Sequence, residues 1–298
     1  MPDPSLRSRR SALLIVGCGD VGLRVAKLLR GRWRLLALTS NPARTQELRD
    51  AGLVPVVGDL DRPDRLGRLA DLADAVLHLA PPPSAGDVDS RTANLVAAFS
   101  RSVRLRRLVY VSTSGVYGDC EGELVDETRA VNPTTARARR RVDAERRLRH
   151  FGRHADVVVS ILRVPGIYGL DRKGGDPRER LARGTPVLAT ADDVHTNHIH
   201  ADDLARACAF ALHRGLPQRT INIADDSALK MADYFDLAAD IFGMSRPPRL
   251  ARSDAASVMS AVQMSFLAES RRLVNARMKR ELRLVLRYPT VADGLVAK

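Results

Sequence analysis

Residues 11–31 read SALLIVGCGDVGLRVAKLLRG. Ala12–Val16 is a short apolar run that breaks at Gly17-Cys18-Gly19-Asp20-Val21-Gly22, after which Val21, Val25, Leu28 and Leu29 recur at helical spacing. The spacing predicts strand, tight turn and helix, which brings backbone N–H groups at a helix N-terminus up to a pyrophosphate. Gly17 permits the turn, Gly19 lets the backbone approach the phosphates, and Gly22 lets the helix pack on the strand. A G-x-G-x-x-G alone is a weak signal. Its place between a strand and a helix, at the head of an alternating pattern, favours dinucleotide binding over a plain loop.

Residues 34–38, 53–57, 75–79 and 107–112 read as strands, with helices over 41–51, 62–71 and 89–103 between them. Pro81, Pro82 and Pro83 end the fourth strand, because proline supports neither a ladder nor a helix interior. A long basic helix over 134–151 and a sixth strand over 157–162 follow. A loop-rich stretch over 163–200 leads to helices over 201–213, 231–242 and 271–282 and a short strand over 220–223. Strands alternating with helices predict an α/β fold: a Rossmann-type, doubly wound parallel sheet. The expected organisation is a basic tail (1–10), a dinucleotide-binding domain (11–163) and a small C-terminal substrate-binding lobe (164–298), some of whose elements return to the first domain. Right-handed crossovers place the strands' C-terminal ends on one rim, where ligands bind.

The 298 residues are 45% hydrophobic, enough for a proper core. No apolar run approaches the roughly 18 residues of a membrane span. Arg7, Arg9 and Arg10 precede the first strand as in a secretory signal, but the apolar run is too short and lacks a cleavage site, so a cytoplasmic protein is expected. Cys18, Cys120 and Cys208 are scattered without C-x-x-C spacing, which argues against a disulfide framework or a zinc site; Cys18 reads as a small packing residue. The net charge of +13 raises the question of nucleic acid. The excess is spread along the chain, lies almost entirely in arginine, and comes with only 4% aromatic residues and no nucleic-acid-binding motif. The expected partner is a small-molecule substrate, with neither nucleic acid nor membrane.

Four later segments carry a resemblance. Thr113-Ser114-Gly115-Val116-Tyr117-Gly118 follows a strand; Leu162-Arg163-Val164-Pro165-Gly166-Ile167-Tyr168-Gly169 follows the sixth. His198-Ile199-His200-Ala201-Asp202-Asp203-Leu204-Ala205 and Ile221-Asn222-Ile223-Ala224-Asp225-Asp226 come after them. In this order they resemble the extended short-chain dehydrogenases/reductases, over about residues 12–245. Ser270-Arg271-Arg272-Leu273-Val274-Asn275-Ala276-Arg277 and Tyr288-Pro289-Thr290 are similar to the C-terminal signature of a bacterial branch of NAD(P)-dependent epimerase/dehydratase-like proteins, whose best-known members are assigned as sugar-nucleotide epimerases. The resemblance implies an NAD(P)-dependent oxidoreductase or epimerase, monomeric or homodimeric, acting on a small polar, nucleotide-sugar-like substrate. Arg163, Arg172, Arg178, Arg180 and Arg183 suit a phosphorylated ligand.

One departure is plain. The family's Tyr-x-x-x-Lys is absent: no lysine lies between Lys27 and Lys173, and no tyrosine between Tyr117 and Tyr168. Alignment on Pro133 and Glu145 puts Arg137 at the tyrosine position and Arg141 at the lysine position. Arg141 retains donors for a ribose. Arg137, with a pKa above about 12, is no proton donor near neutrality. The resemblance makes Thr113 the serine/threonine that hydrogen-bonds the reacting oxygen. Tyr117 either replaces the missing acid, its pKa lowered by a nearby Arg141, or packs beneath the loop. The catalytic candidates are thus Thr113, Tyr117 and Arg141, with Tyr168-x-x-x-Arg172 as a weaker option. For His195, His198 and His200 a structural role is favoured over a metal site, since no acidic ligand is suitably spaced. Asp126 and Glu127 are expected to be solvated or arginine-paired, and Asp202 and Asp203 to cap a helix.

NAD-preferring sites carry an acid after the second strand. Here Thr39, Ser40 and Asn41 stand there, followed by Arg44, a set that suits a 2′-phosphate; NADP is therefore slightly favoured over NAD. By resemblance Asp59 and Leu60 embrace the adenine. Gly17, Gly19, Asp20, Val21, Gly22, Leu79, Ala80, Pro81, Ser112, Arg141, Val164 and Pro165 complete the expected cofactor contacts. An intact glycine turn without the standard acid keeps a second reading open, a catalytically silent NAD(P)-binding sensor or regulatory protein.

Overall fold

A computed structural model describes residues 10–296. The strands of the main sheet are β1 (Ala12–Val16), β2 (Arg34–Thr39), β3 (Val54–Val57), β4 (Ala75–His78), β5 (Arg107–Thr113), β6 (Val158–Val164) and β7 (Arg219–Asn222). The principal helices are α1 (Asp20–Leu29), α2 (Thr45–Asp50), α3 (Ser90–Phe99), α4 (Ala136–His154), α5 (Ala201–Arg214) and α6 (Met231–Phe242). These seven form one sheet in the order β7-β6-β5-β4-β1-β2-β3. β1 pairs in parallel with both β2 and β4, as do β2 with β3 and β4 with β5. All five β1 residues are buried, as a strand covered on both faces requires. Strand order reverses between β1 and β4, the switch point at which α/β sheets open a crevice.

Two compact units divide the chain. Unit 1 takes residues up to 111, 143–161 and 208–219; unit 2 takes 112–142, 162–207 and 220 onward. In unit 1, Leu14, Leu36, Val76, Leu108 and Tyr110 from the sheet share a core with Leu95 and Phe99 of α3 and with Ala144, Leu148 and Phe151 of α4. In unit 2, Tyr168 and Val187 pack with Phe235, Ala238 and Ala239 of α6 and with Val291 and Leu295. Among the described residues, no helix is long and apolar enough to cross a membrane.

Two expected helices are corrected. Residues 62–71 form two 3-10 turns, Pro63–Arg65 and Gly67–Leu69, because Gly67 interrupts the run with a poor helix former. Of residues 271–282, only Ala276–Glu281 is helical. Arg272–Leu273 instead pairs in parallel with Leu124–Val125. Asn197 holds it there, accepting from the Leu273 N–H at 2.7 Å and donating to the Arg271 carbonyl at 2.9 Å.

Candidate functional site

Unit 1 builds a cradle at the C-terminal ends of its strands. Gly17 has φ +83°, and a Cβ there would lie 2.5 Å from the Ala80 nitrogen, so only glycine fits between the turn and the end of β4. A Cβ on Gly22 would come within 3.2 Å of Cys18 Sγ and of the Ile15 side chain. Gly19 differs. It is the N-cap of α1 at φ −92°, without a capping side chain, and nothing lies within 4 Å of where its Cβ would be. Open space before an uncapped helix N-terminus fits a pyrophosphate.

Hydrogen bonds join Leu79 and Arg44 to this cradle and engage other expected cofactor residues of the same unit locally. Leu79 N–H donates to the Val16 carbonyl at 2.8 Å. Arg44 Nη1 donates to the Cys18 carbonyl at 3.0 Å, and its fork also grips Glu47 at 2.6 and 2.9 Å. That pairing holds the Glu47 carboxyl below the usual carboxylate range. Thr39 Oγ1 accepts from Asn41 N–H at 3.2 Å, and Asn41 Oδ1 from Ala43 N–H at 3.0 Å. Asp59 accepts from the Asp61 N–H at 2.9 Å, while the Leu60 carbonyl accepts from Asn94 at 2.7 Å. Arg91 pairs with Asp61 at 2.7 Å and donates to the Pro81 carbonyl at 3.2 Å. Asp20 pairs with Arg24 at 3.0 Å. Burial pushes the Cys18 thiol up to about 11, which leaves it a packing group.

Unit 2 contains a cavity of about 660 Å³. Its wall includes Arg137, Arg141, Arg172, Arg180, Arg183 and Arg271, against the acids Asp176, Glu179 and Glu269. Thr113 and Pro165 also line it, and Thr113 Oγ1 accepts from the Gly115 N–H at 3.3 Å. Arg137, at the tyrosine position of the alignment, lies with Cζ 4.4 Å from the centre of the Phe266 ring. Ser112 and Val164 are buried.

Tyr117 is not in that wall. It is 1% exposed, and its hydroxyl donates to Asn222 Oδ1 at 2.8 Å. Arg163 stacks on its ring at 4.7 Å. Burial pushes the phenol's pKa up despite Arg163, which corrects the expected lowering by Arg141. Asn222 is the hub of this network. Its side chain also donates to the Val125 carbonyl at 3.1 Å, and its N–H donates to Glu127 at 2.8 Å. Glu127 pairs with Arg277, and Asp126 accepts from Thr128 N–H, so both acids are engaged locally.

Glu269 is the residue that pattern reading passed over. Its Oε1 accepts from Thr134 Oγ1 at 2.8 Å and its Oε2 pairs with Arg271. A Cβ placed on Gly115 would be 3.9 Å from that Oε2, which sets the carboxylate close to the segment that carries Thr113. The one available signal was position: an acid directly preceding Ser270-Arg271-Arg272.

The remaining candidates are held by their neighbours, and Tyr168, Arg172, His195 and His198 also line the cavity. Tyr168 is 2% exposed and donates to the Thr290 carbonyl at 3.2 Å; burial raises its pKa. His198 stacks on Tyr234 with ring centres 4.1 Å apart, and complete burial lowers its pKa to about 3, so it is neutral. His200 Nδ1 accepts from the Asp202 N–H at 3.2 Å, and its ring meets Tyr288 at 3.9 Å. Asp203, fully buried in the first turn of α5, accepts from the N–H groups of Arg287 and Tyr288 rather than capping its own helix. No group of three or more His, Cys, Asp or Glu that could hold a metal occurs among the described residues.

Asp225, in the same region, makes a stability prediction. It is 4% exposed, its Oδ2 has no hydrogen-bond partner, and burial pushes its pKa up to about 8. Between the ordinary carboxylate pKa and that value, the folded state holds a proton that the unfolded state has released. Stability therefore falls as pH rises, by up to about 1.4 kcal/mol per pH unit. Urea melts between pH 5 and 8 should show this fall flattened in Asp225→Asn; parallel slopes for the two proteins would refute it.

The sequence profile of the NAD dependent epimerase/dehydratase family matches residues 13–224. Among solved structures, a functionally unknown conserved protein from Silicibacter pomeroyi DSS is 28% identical, with a TM-score of 0.81 over 96% of each chain. UDP-glucuronic acid 4-epimerase from Bacillus cereus, in complex with NAD, is 18% identical, with a TM-score of 0.74 over 95% of this chain and 96% of that one. UDP-glucose 4-epimerase from Thermotoga maritima, with UDP-glucose, is 17% identical, with a TM-score of 0.77 over the same shares. Comparison with curated proteins found no match.

Proposed function

As a member of the NAD dependent epimerase/dehydratase family, this chain, we propose, is an NAD(P)-dependent epimerase-type enzyme that acts on a phosphorylated, nucleotide-sugar-like substrate. The observation that carries this reading is the unit 2 cavity, where Thr113 and Glu269 share a wall with six arginines. The dinucleotide, when bound, supplies reversible hydride acceptance. Gly17, Gly19 and Gly22 with the α1 N-terminus hold its pyrophosphate, Asp59 and Leu60 its adenine, and Thr39, Ser40, Asn41 and Arg44 its ribose. In the cavity, guanidinium forks bind the substrate's phosphates. Thr113 hydrogen-bonds the reacting hydroxyl and the Glu269 carboxylate takes its proton. Titration with NADH and NADPH followed by a panel of nucleotide sugars tests the reading. Turnover lost in Thr113→Val, with dinucleotide binding retained, supports it.

A second reading is favoured by the buried, hydrogen-bonded Tyr117, which leaves the standard proton donor without a replacement from its own segment. On that reading the chain binds NAD(P) and regulates without turnover. Tight dinucleotide binding with no product from any nucleotide sugar would select it.

The choice of dinucleotide turns on Arg44. A guanidinium already gripped by Glu47 has less charge to offer a 2′-phosphate. Glu47→Gln should tighten NADPH binding about three- to tenfold relative to NADH at low salt, with the gain fading as salt is raised. Equal changes for both dinucleotides would remove the 2′-phosphate role from Arg44.

A further inference from the structure

Unit 1 contains a second cavity, of about 430 Å³, walled by Arg32, Trp33, Asp74, Arg106, Arg107 and His213 among others. Trp33 directly precedes β2, Asp74 precedes β4 and Arg106 precedes β5, so this cavity opens at the N-terminal ends of the parallel strands. The glycine turn lies at the other end of β1, five residues and about 16 Å away. A ligand in one place leaves the other clear.

The charge around this cavity is one-sided. Its acid, Asp74, is already taken up, accepting from the Arg104 fork at 2.9 and 2.8 Å and from the Ala12 N–H at 2.6 Å. Among the described residues, the guanidinium groups of Arg32 and Arg106 make no hydrogen bond or ion pair. Arg107 donates to the Gly215 carbonyl at 2.9 Å and keeps further N–H groups. His213 reports the resulting field: burial together with Arg107, Arg32 and Arg214 holds its pKa below the ordinary value. The C-terminal end of α5 opposes this with about half a negative charge, against three full guanidinium charges. Trp33 adds an aromatic face, its ring 5.6 Å from that of His213.

We propose that this cavity is a binding site for a diphosphate group, separate from the glycine turn. Three guanidinium groups around a concave space match the charge and the bidentate geometry of two linked phosphoryl groups. The volume falls within the range of small-ligand sites. The diphosphate is either free or carried by a nucleoside whose base lies on Trp33.

Trp33 is the chain's one tryptophan, so its emission reads this cavity directly. The test titrates the whole protein with inorganic diphosphate and with ADP, followed by Trp33 fluorescence and by calorimetry. A saturable response is expected, weakened at least about tenfold per arginine in Arg32→Ser and Arg106→Ser, since each removes charged hydrogen bonds. It should persist in Gly19→Glu, which blocks pyrophosphate at the glycine turn. ADP binding at least about tenfold tighter than diphosphate, with the margin lost in Trp33→Leu by calorimetry, assigns a nucleoside source; equal affinities assign the diphosphate alone. No saturable response in either readout overturns the proposal. So does a response that survives the arginine variants or vanishes in Gly19→Glu.

Discussion

Gly17→Ala is expected to lower stability by about 2–5 kcal/mol, while Gly19→Ala leaves stability within about 0.5 kcal/mol and loses dinucleotide affinity instead. Both glycines belong to one turn, and their environments are opposite. At Gly17 the backbone sits at φ +83°, where a side chain costs about 1–2 kcal/mol. The added methyl would also meet the Ala80 nitrogen and Cα at 2.5 and 2.6 Å. Both atoms are backbone just beyond the central strand β4, so the strain has no flexible side chain to absorb it. The sum is a large share of the 5–15 kcal/mol typical of a folded domain. At Gly19, φ is −92° and the position of the missing Cβ is open, so alanine fits. The methyl instead occupies the approach to the α1 N-terminus, and NADH affinity should fall at least about tenfold. Urea melts and NADH titration of the two variants separate the effects. Equal losses of stability, or unchanged NADH affinity in Gly19→Ala, would dissolve the distinction between a structural and a binding glycine.

The same pair shows how far residue order reaches. Strand, turn and helix were legible around Gly17, Gly19 and Gly22, because apolar period and glycine placement are local signals. The reason that Gly17 tolerates no side chain was not legible, since Ala80 arrives from β4, 63 positions later in the chain. Tyr117 repeats the lesson. Its place after the fifth strand pointed to the site, yet its orientation is set by Asn222, 105 residues on. Residues 271–275 carry helical spacing, but Asn197 offers their backbone better partners. In residues 62–71 the apolar spacing favours a helix, but the local signal Gly67 leaves only 3-10 turns. Glu269 had no periodic or motif signal at all. Its interest comes from Thr134, Arg271 and Gly115, which only the fold assembles around it.

Glu269→Gln should reduce kcat by about 10²- to 10⁴-fold, the usual contribution of a positioned proton-transfer group, with KM changed only a few-fold. Glutamine has the same shape and keeps an oxygen for the Thr134 hydroxyl, so the local geometry survives. An amide does not take up the proton of a substrate hydroxyl, and that is the property removed. The loss of the Arg271 pair carries its own cost, about 1–3 kcal/mol of stability for a nearly buried guanidinium. Arg271 is not stranded by it, since its Nε still donates to the Gly118 carbonyl at 3.0 Å. A structural role and a proton-transfer role therefore make different predictions. If Glu269 only anchors Arg271, then Glu269→Gln lowers the melting temperature and weakens substrate binding while kcat of the folded enzyme stands. If it moves the proton, kcat collapses while the dissociation constant for the nucleotide product holds. Glu269→Ala then regains part of its activity when formate is added to occupy the vacated space. Formate restores a carboxylate without restoring the tether between Thr134 and Arg271, so rescue by formate belongs to chemistry alone. A formate-insensitive Glu269→Ala with full kcat in Glu269→Gln would take the proton transfer away from Glu269 and leave that residue only its structural tie to Thr134 and Arg271.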